Sequence, residues 1–164
     1  MRVAVVGAGG IGSYFGGRLA RSGVDVRLLA RGRHLRALRD DGLRISGVRG
    51  EFAVDVPATD DPADIGPCDV VLFCVKSYDT EAAVELLPPL IHTTTAVVSL
   101  QNGVDNEEKI AARIGPEHVM GGAAFIFASV VEPGVVHDAG GPGSIVFGEL
   151  DGSRSARGEA LLAM

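Results

Sequence analysis

Gly7-Ala8-Gly9-Gly10-Ile11-Gly12 forms a Gly-x-Gly-x-x-Gly pattern directly after the apolar run Val3–Val6. Glycines at this spacing suit phosphate binding. Gly7 lets the chain turn tightly out of a strand, Gly9 lets bare backbone approach a pyrophosphate, and Gly12 lets a helix pack closely on the strand it left. The first N–H groups of that helix then hold the phosphate charge. The pattern is weak by itself and specific in this context, between a strand and a helix at the start of a βαβ unit. It predicts a dinucleotide site. The end of the second strand bears on which dinucleotide. A site for NAD places Asp or Glu there, to accept hydrogen bonds from the ribose 2′-hydroxyl. This chain has Ala30 and then Arg31, with Arg33 close behind. A guanidinium pairs with a 2′-phosphate that a carboxylate would repel. NADP(H) is therefore expected over NAD(H), with Arg31 as the main determinant and Arg33 and Arg36 on the solvated face of a short helix.

Two further side chains could work at the other end of such a cofactor. Lys76 closes the apolar run Val70–Val75, and Asn102 lies in Gln101-Asn102-Gly103 just after the run Ala96–Leu100. A lone Lys at a strand exit is often a solubilising charge, and Asn-Gly is often only a turn. Both, however, fall on the edge of the sheet where a bound dinucleotide would run towards its nicotinamide.

The elements that must hold these residues alternate. Val3–Val6 reads as a strand, and Gly10–Ser22 as a helix with Ile11, Phe15 and Leu19 on its core stripe, stopped by Gly23. Val26–Ala30 is the second strand, followed by the basic segment that starts at Arg31. Leu43–Ser46 and Phe52–Val56 read as a hairpin around Gly47–Gly50. Val70–Val75 is a strand buried on both faces, Thr80–Leu87 a helix ended by Pro88-Pro89, and Ala96–Leu100 another strand. Asp105 with Glu108 predicts an N-cap and capping box for a helix to about Arg113. Val119–Val131, Val135–His137 and Ser144–Phe147 read as strands joined by turns at Glu132-Pro133-Gly134 and Gly140–Gly143. Strand–helix alternation requires crossovers and hence parallel strands. The expected fold is α/β and Rossmann-type: a mostly parallel sheet with helices on both faces and a C-terminal antiparallel extension. Such sheets bind ligands at the carboxyl ends of their strands.

Composition sets the remaining bounds. The 164 residues suffice for one domain with a real core, and 46% of them are hydrophobic. The 23 glycines are about twice the usual share, which suits tight turns and close backbone approaches. A net charge of −6 argues against a nucleic-acid surface. No apolar stretch is long enough to span a bilayer, and the N-terminus lacks the features of a signal peptide. A cytoplasmic location without membrane partners is expected. Cys68 and Cys74 are read as buried thiols of a reducing compartment. His34, His92, His118 and His137 are scattered, so no metal is expected and all four are read structurally.

Several segments together resemble the N-terminal domain of the ketopantoate reductase (2-dehydropantoate 2-reductase) family. They are GAGGIG at 7–12, Arg31 after the second strand, CVKSYDT at 74–80, SLQNGVDNEEKI at 99–110, GGAAFIFASVVEPGVVHDAGGPG at 121–143 and FGE at 147–149. The resemblance covers nearly the whole chain. It implies NADPH-dependent reduction of 2-dehydropantoate, a branched 2-keto acid, to pantoate on the route to pantothenate. It implies that Lys76 supplies positive charge near nicotinamide and substrate, that Asn102 hydrogen-bonds ribose or substrate, and that Ala128 meets the cofactor through its backbone. It further places the proton-donating lysine, and most substrate-binding side chains, in a second helical domain. On this reading residues 1–150 are the NADP-binding domain, and 151–164 begin a helix leading to a helical substrate domain that is absent. The chain is then expected to be a fragment or short product with little turnover, with 153–164 poorly packed and Leu161 and Leu162 lacking partners. Two alternatives remain open: a non-catalytic NADP-binding or sensing module, and a reductase of a different 2-keto acid. The expected partner is a small-molecule keto acid, and a homo-oligomer is possible.

Overall fold

Residues 1–164 are all described by a computed structural model. Strand β1 (Arg2–Val6) feeds helix α1 (Gly10–Arg21), which returns to β2 (Asp25–Leu29), and α2 (Gly32–Asp41) follows. A hairpin of β3 (Leu43–Gly47) and β4 (Phe52–Val54) precedes the short β5 (Ala58–Thr59) and α3 (Pro62–Ile65). Then come β6 (Val70–Phe73), α4 (Thr80–Ala83), β7 (Ala96–Ser99) and α5 (Asn106–Ile114). Two long strands, β8 (Val119–Glu132) and β9 (Val135–Glu149), lead to the final helix α6 (Ala156–Leu162).

All the strands join one sheet in the order β4-β3-β9-β8-β7-β6-β1-β2-β5. Pairing is parallel from β5 through β2, β1, β6 and β7 to the start of β8. β8 and β9 pair antiparallel, as do β3 and β4, while β3 runs parallel to β9. The Rossmann-type sheet and its antiparallel extension are those expected from the sequence.

The strands are apolar on both sides because each side feeds a core. Val3 and Val5 of β1 point into a cluster with Tyr14, Leu28, Leu72 and Val98, while Ala4 and Val6 point into one with Phe73, Leu87, Leu90 and Ile110. Helix α1 lies inside the first cluster. A Cβ at Gly16 would sit 3.0 Å from Leu28 Cδ2 of β2, and one at Gly17 would sit 2.7 Å from Ile45 Cδ1 of β3. The sheet thus curls so that α1 has β1 and β2 on one flank and β3 on the other.

Four local expectations are corrected. Gly140–Gly143 is no turn: β9 runs through it, with positive φ at Gly140, Gly141 and Gly143 and register shifts against Phe125, Phe127 and Ala128. Arg49 donates to both carboxylate oxygens of buried Asp138, at 2.9 and 2.7 Å, and also to the Gly141 carbonyl. That pair holds the strand across an irregularity that glycines alone suggest as a turn. Asp105 makes no side-chain cap; its carboxylate takes Lys109 Nζ at 2.8 Å instead. The helix expected over 80–87 is α4 alone, with single 3-10 turns at Val84–Leu86 and Pro88–Leu90 after it. Near the C-terminus, Leu161 is buried in the first cluster and Arg157 pairs with Glu149 at 2.5 Å, so that of the two leucines expected to lack partners Leu162 alone stands exposed. No helix is long and apolar enough to cross a membrane.

Candidate cofactor and active site

The glycine turn emerges from β1 at the carboxyl edge of the sheet, where the strand sterics explain each glycine differently. Gly7 has φ of 95° and lies against Val75, whose Cγ1 and N would be 2.8 Å from any Cβ. Gly12 faces back onto the turn, where a Cβ would meet the Gly7 carbonyl at 2.3 Å. At Gly9, the N-cap of α1, no atom lies within 4 Å of a Cβ position. That open side is where bare backbone can be approached. No acidic residue stands in the first turn of α1, so its unsatisfied N–H groups and positive helix end keep their attraction for an anion. The residues present therefore fit a pyrophosphate.

Gly10 serves a separate purpose. A Cβ there would fall 2.2 Å from the Ala128 carbonyl oxygen, so the main chain of β8 rests directly on the turn. This brings Ala128 to the loop with its backbone foremost. The turn is braced from behind as well. Ser13 Oγ donates to the Ala8 carbonyl at 2.9 Å and lies 3.4 Å from His34 Nε2. His34 Nδ1 accepts from the Gly134 amide at 3.0 Å. Burial pushes the His34 pKa below its ordinary value, and a ring that accepts at Nδ1 is neutral. His34 thus has the structural part expected for it, tying α2 to the glycine turn and to the β8–β9 connection.

Arg31 caps α2 by position, in extended conformation, and its guanidinium projects into solvent with 86% of the side chain exposed. Its one partner is Asp79, at 3.2 Å. Arg33 and Arg36 are exposed on α2. Lys76 follows the end of β6, exposed and in no ion pair, and begins the 3-10 turn Ser77–Asp79. The segment carrying Lys76 is therefore tied through Asp79 to the Arg31 end of the site.

Its other side is tied to Asn102. Gln101, buried at the exit of β7, donates through Nε2 to the Val75 carbonyl at 3.0 Å and to Thr80 Oγ1 at 2.7 Å. Thr80 Oγ1 donates in turn to Asn106 Oδ1 at 3.4 Å, and Asn106 Nδ2 to the Asn102 carbonyl at 3.1 Å. Donors thus run one way, from Gln101 to two main-chain carbonyls, one next to Lys76 and one belonging to Asn102. Gln101 Oε1 is buried without a donor. Asn102 itself is exposed at the edge. Asp79, Thr80, Gln101 and Asn106 lie within the segments that carry the family resemblance, but no role is read for them there. Only the fold reveals their partners.

Cys74, which borders Gly12, has its thiol pushed up to about 12 by burial, and burial raises Cys68 to about 11. Neither is poised as a nucleophile.

The family described as ketopantoate reductase PanE/ApbA matches residues 3–152. The 2-dehydropantoate 2-reductase of Halobacterium salinarum is 38% identical over 159 residues, covering 96% of this chain and 52% of its own. A crystal structure of 2-dehydropantoate 2-reductase from Geobacter metallireducens superposes with a TM-score of 0.93 at 40% identity, over 99% of this chain and 54% of the other. A ternary structure of D-mandelate dehydrogenase with NADH and anilino(oxo)acetate superposes with a TM-score of 0.85 at 25% identity, over 98% of this chain and 51% of the other. The chain spans about half the length of the curated relatives it matches.

Proposed function

The chain belongs to the ketopantoate reductase PanE/ApbA family, and from that premise we propose that it is the NADPH-binding portion of an enzyme that reduces 2-dehydropantoate to pantoate. Residues 1–150 form the cofactor domain in this reading, and 151–164 lead towards a substrate domain that supplies the general acid. Gly7, Ala8, Gly9, Gly10, Ile11 and Gly12 hold the pyrophosphate with backbone, Arg31 takes the 2′-phosphate, and the main chain at Ala128 borders the cofactor. Lys76 and Asn102 serve the reacting end: when bound, NADPH supplies the hydride. Negative charge then grows on the keto oxygen, and a fixed cation or amide donor favours it most where water is excluded. In this reading Lys76 provides that charge, and Asn102 hydrogen-bonds ribose or substrate.

The observation that carries the reading is Arg31 at the exit of β2, beside a glycine turn whose backbone is open at Gly9. Calorimetric titration of the chain with NADPH and NADH tests it. NADPH should bind more tightly, and Arg31→Ala should lose about tenfold or more for NADPH with little change for NADH, the scale of a charge-assisted hydrogen-bonded pair. Equal loss for both dinucleotides would remove the assignment. The likeness to D-mandelate dehydrogenase favours a second reading of the substrate, in which a different 2-keto acid is reduced at the same site. Assays of the complete enzyme with ketopantoate and with aryl 2-keto acids separate the two.

A further inference from the structure

Arg31 and Asp79 reach each other from opposite sides of the glycine turn. Arg31 follows β2 and Asp79 follows β6, and β1, which carries the turn, lies between those strands. The 3.2 Å contact between them therefore spans the carboxyl end of β1. It is the only hydrogen bond of the Asp79 carboxylate: although Asp79 stands at the N-cap position of α4, its side chain caps nothing. A pair this exposed contributes little to stability. What sets it apart is that its cation is the group assigned to the 2′-phosphate.

We propose that Asp79 is a determinant of dinucleotide selectivity, opposing a 2′-phosphate and favouring a 2′-hydroxyl. The proposal rests on the reading of Arg31 given above. A 2′-phosphate carries close to two negative charges and must share the guanidinium with Asp79 or displace it, and either way the carboxylate repels it. A ribose 2′-hydroxyl has a proton to donate, and a carboxylate at this end of the groove is its natural acceptor. In NAD sites that carboxylate stands at the end of the second strand. Here the second strand ends in Ala30 and Arg31, and the carboxylate arrives instead from the loop after β6. The chain thus brings an Arg and an Asp to one adenosine-ribose site, and NADPH is preferred by less than Arg31 alone would give.

Asp79→Asn keeps the shape and removes the charge. In calorimetric titrations of the whole chain at low salt, NADPH should tighten about three- to tenfold, the scale of removing one like charge some ångströms from a phosphate in a largely aqueous setting. NADH should be unchanged or weaker, and Asp79→Ser should reproduce the shift. The gain for NADPH should shrink as salt rises. If Arg31→Ala lowers the NADPH-to-NADH preference while both Asp79 variants leave it unchanged, the role of Asp79 is wrong and the site reading stands. If Arg31→Ala also leaves the preference unchanged, the 2′-phosphate does not bind at Arg31, and both fall together.

Discussion

Gly9 and Gly10 are neighbours with opposite surroundings, and substitution should separate their roles. An alanine methyl at Gly10 would meet three main-chain atoms of Ala128 and Ser129 within 2.7 Å. Backbone cannot swing aside like a side-chain tip, so Gly10→Ala should cost about 1–3 kcal/mol, read as a lower denaturation midpoint, and should weaken NADPH as the turn and β8 part. Gly9→Ala meets nothing within the protein. It should leave the midpoint unchanged and weaken NADPH alone, because the methyl would occupy the side from which a pyrophosphate approaches in the proposed site. His34 adds a pH dependence. Burial holds its folded pKa below 6.5, so its contribution to stability is complete above that value and is lost as pH falls towards the lowered one. The thermal midpoint should therefore drop between about pH 7.5 and pH 5.5 by more in the parent than in His34→Gln, which cannot titrate. The tight turn at Gly7 and the close approach at Gly12 could be read in the sequence, because their spacing fits a strand-to-helix turn of that kind. Asp79 could not: nothing in a linear chain says which strand-exit loop will face Arg31.

Between elements, the loops after β6 and β7 act as one unit because Gln101 joins them. Gln101→Leu removes the donor to the Val75 carbonyl and to Thr80 Oγ1 while filling similar space. It should cost about 1–3 kcal/mol for the groups left unpaired, and amides of 76–80 and 102–106 should exchange faster ahead of the rest of the chain. Gln101→Glu should not restore it, since a carboxylate has no proton for a carbonyl. The parallel strands could be read directly, because Val70–Phe73 and Ala96–Val98 are apolar without alternation, as a sheet covered on both faces requires. Where reading failed, the deciding partner was remote or merely local competition prevailed. The glycines at 140–143 fit a turn or a bulge equally well, and Arg49, far away in the chain, selects the bulge by gripping Asp138. Asp105 had two uses within one helical turn, and the Lys109 ammonium outcompeted the helix amides.

At the scale of the molecule, the curl of the sheet is what the sequence did not disclose. Runs of apolar residues announce strands and leave their neighbours unspecified, and the pairing of β3 with β9 joins Arg44 to Val135 and Gly47 to Asp138. That pairing also sets the order in which the chain can be assembled. As synthesis proceeds from the N-terminus, α1 and the β3–β4 hairpin emerge early, yet a lone two-stranded hairpin is marginal in water. β3 has only β4 beside it until β9 is made and pairs along its other edge. Closure over such a sequence distance is slow and leaves apolar surface uncovered in the interval. β9 is thus the strand that locks the first helix in place, and on the ribosome the nascent chain stays open around α1 until β9 has emerged.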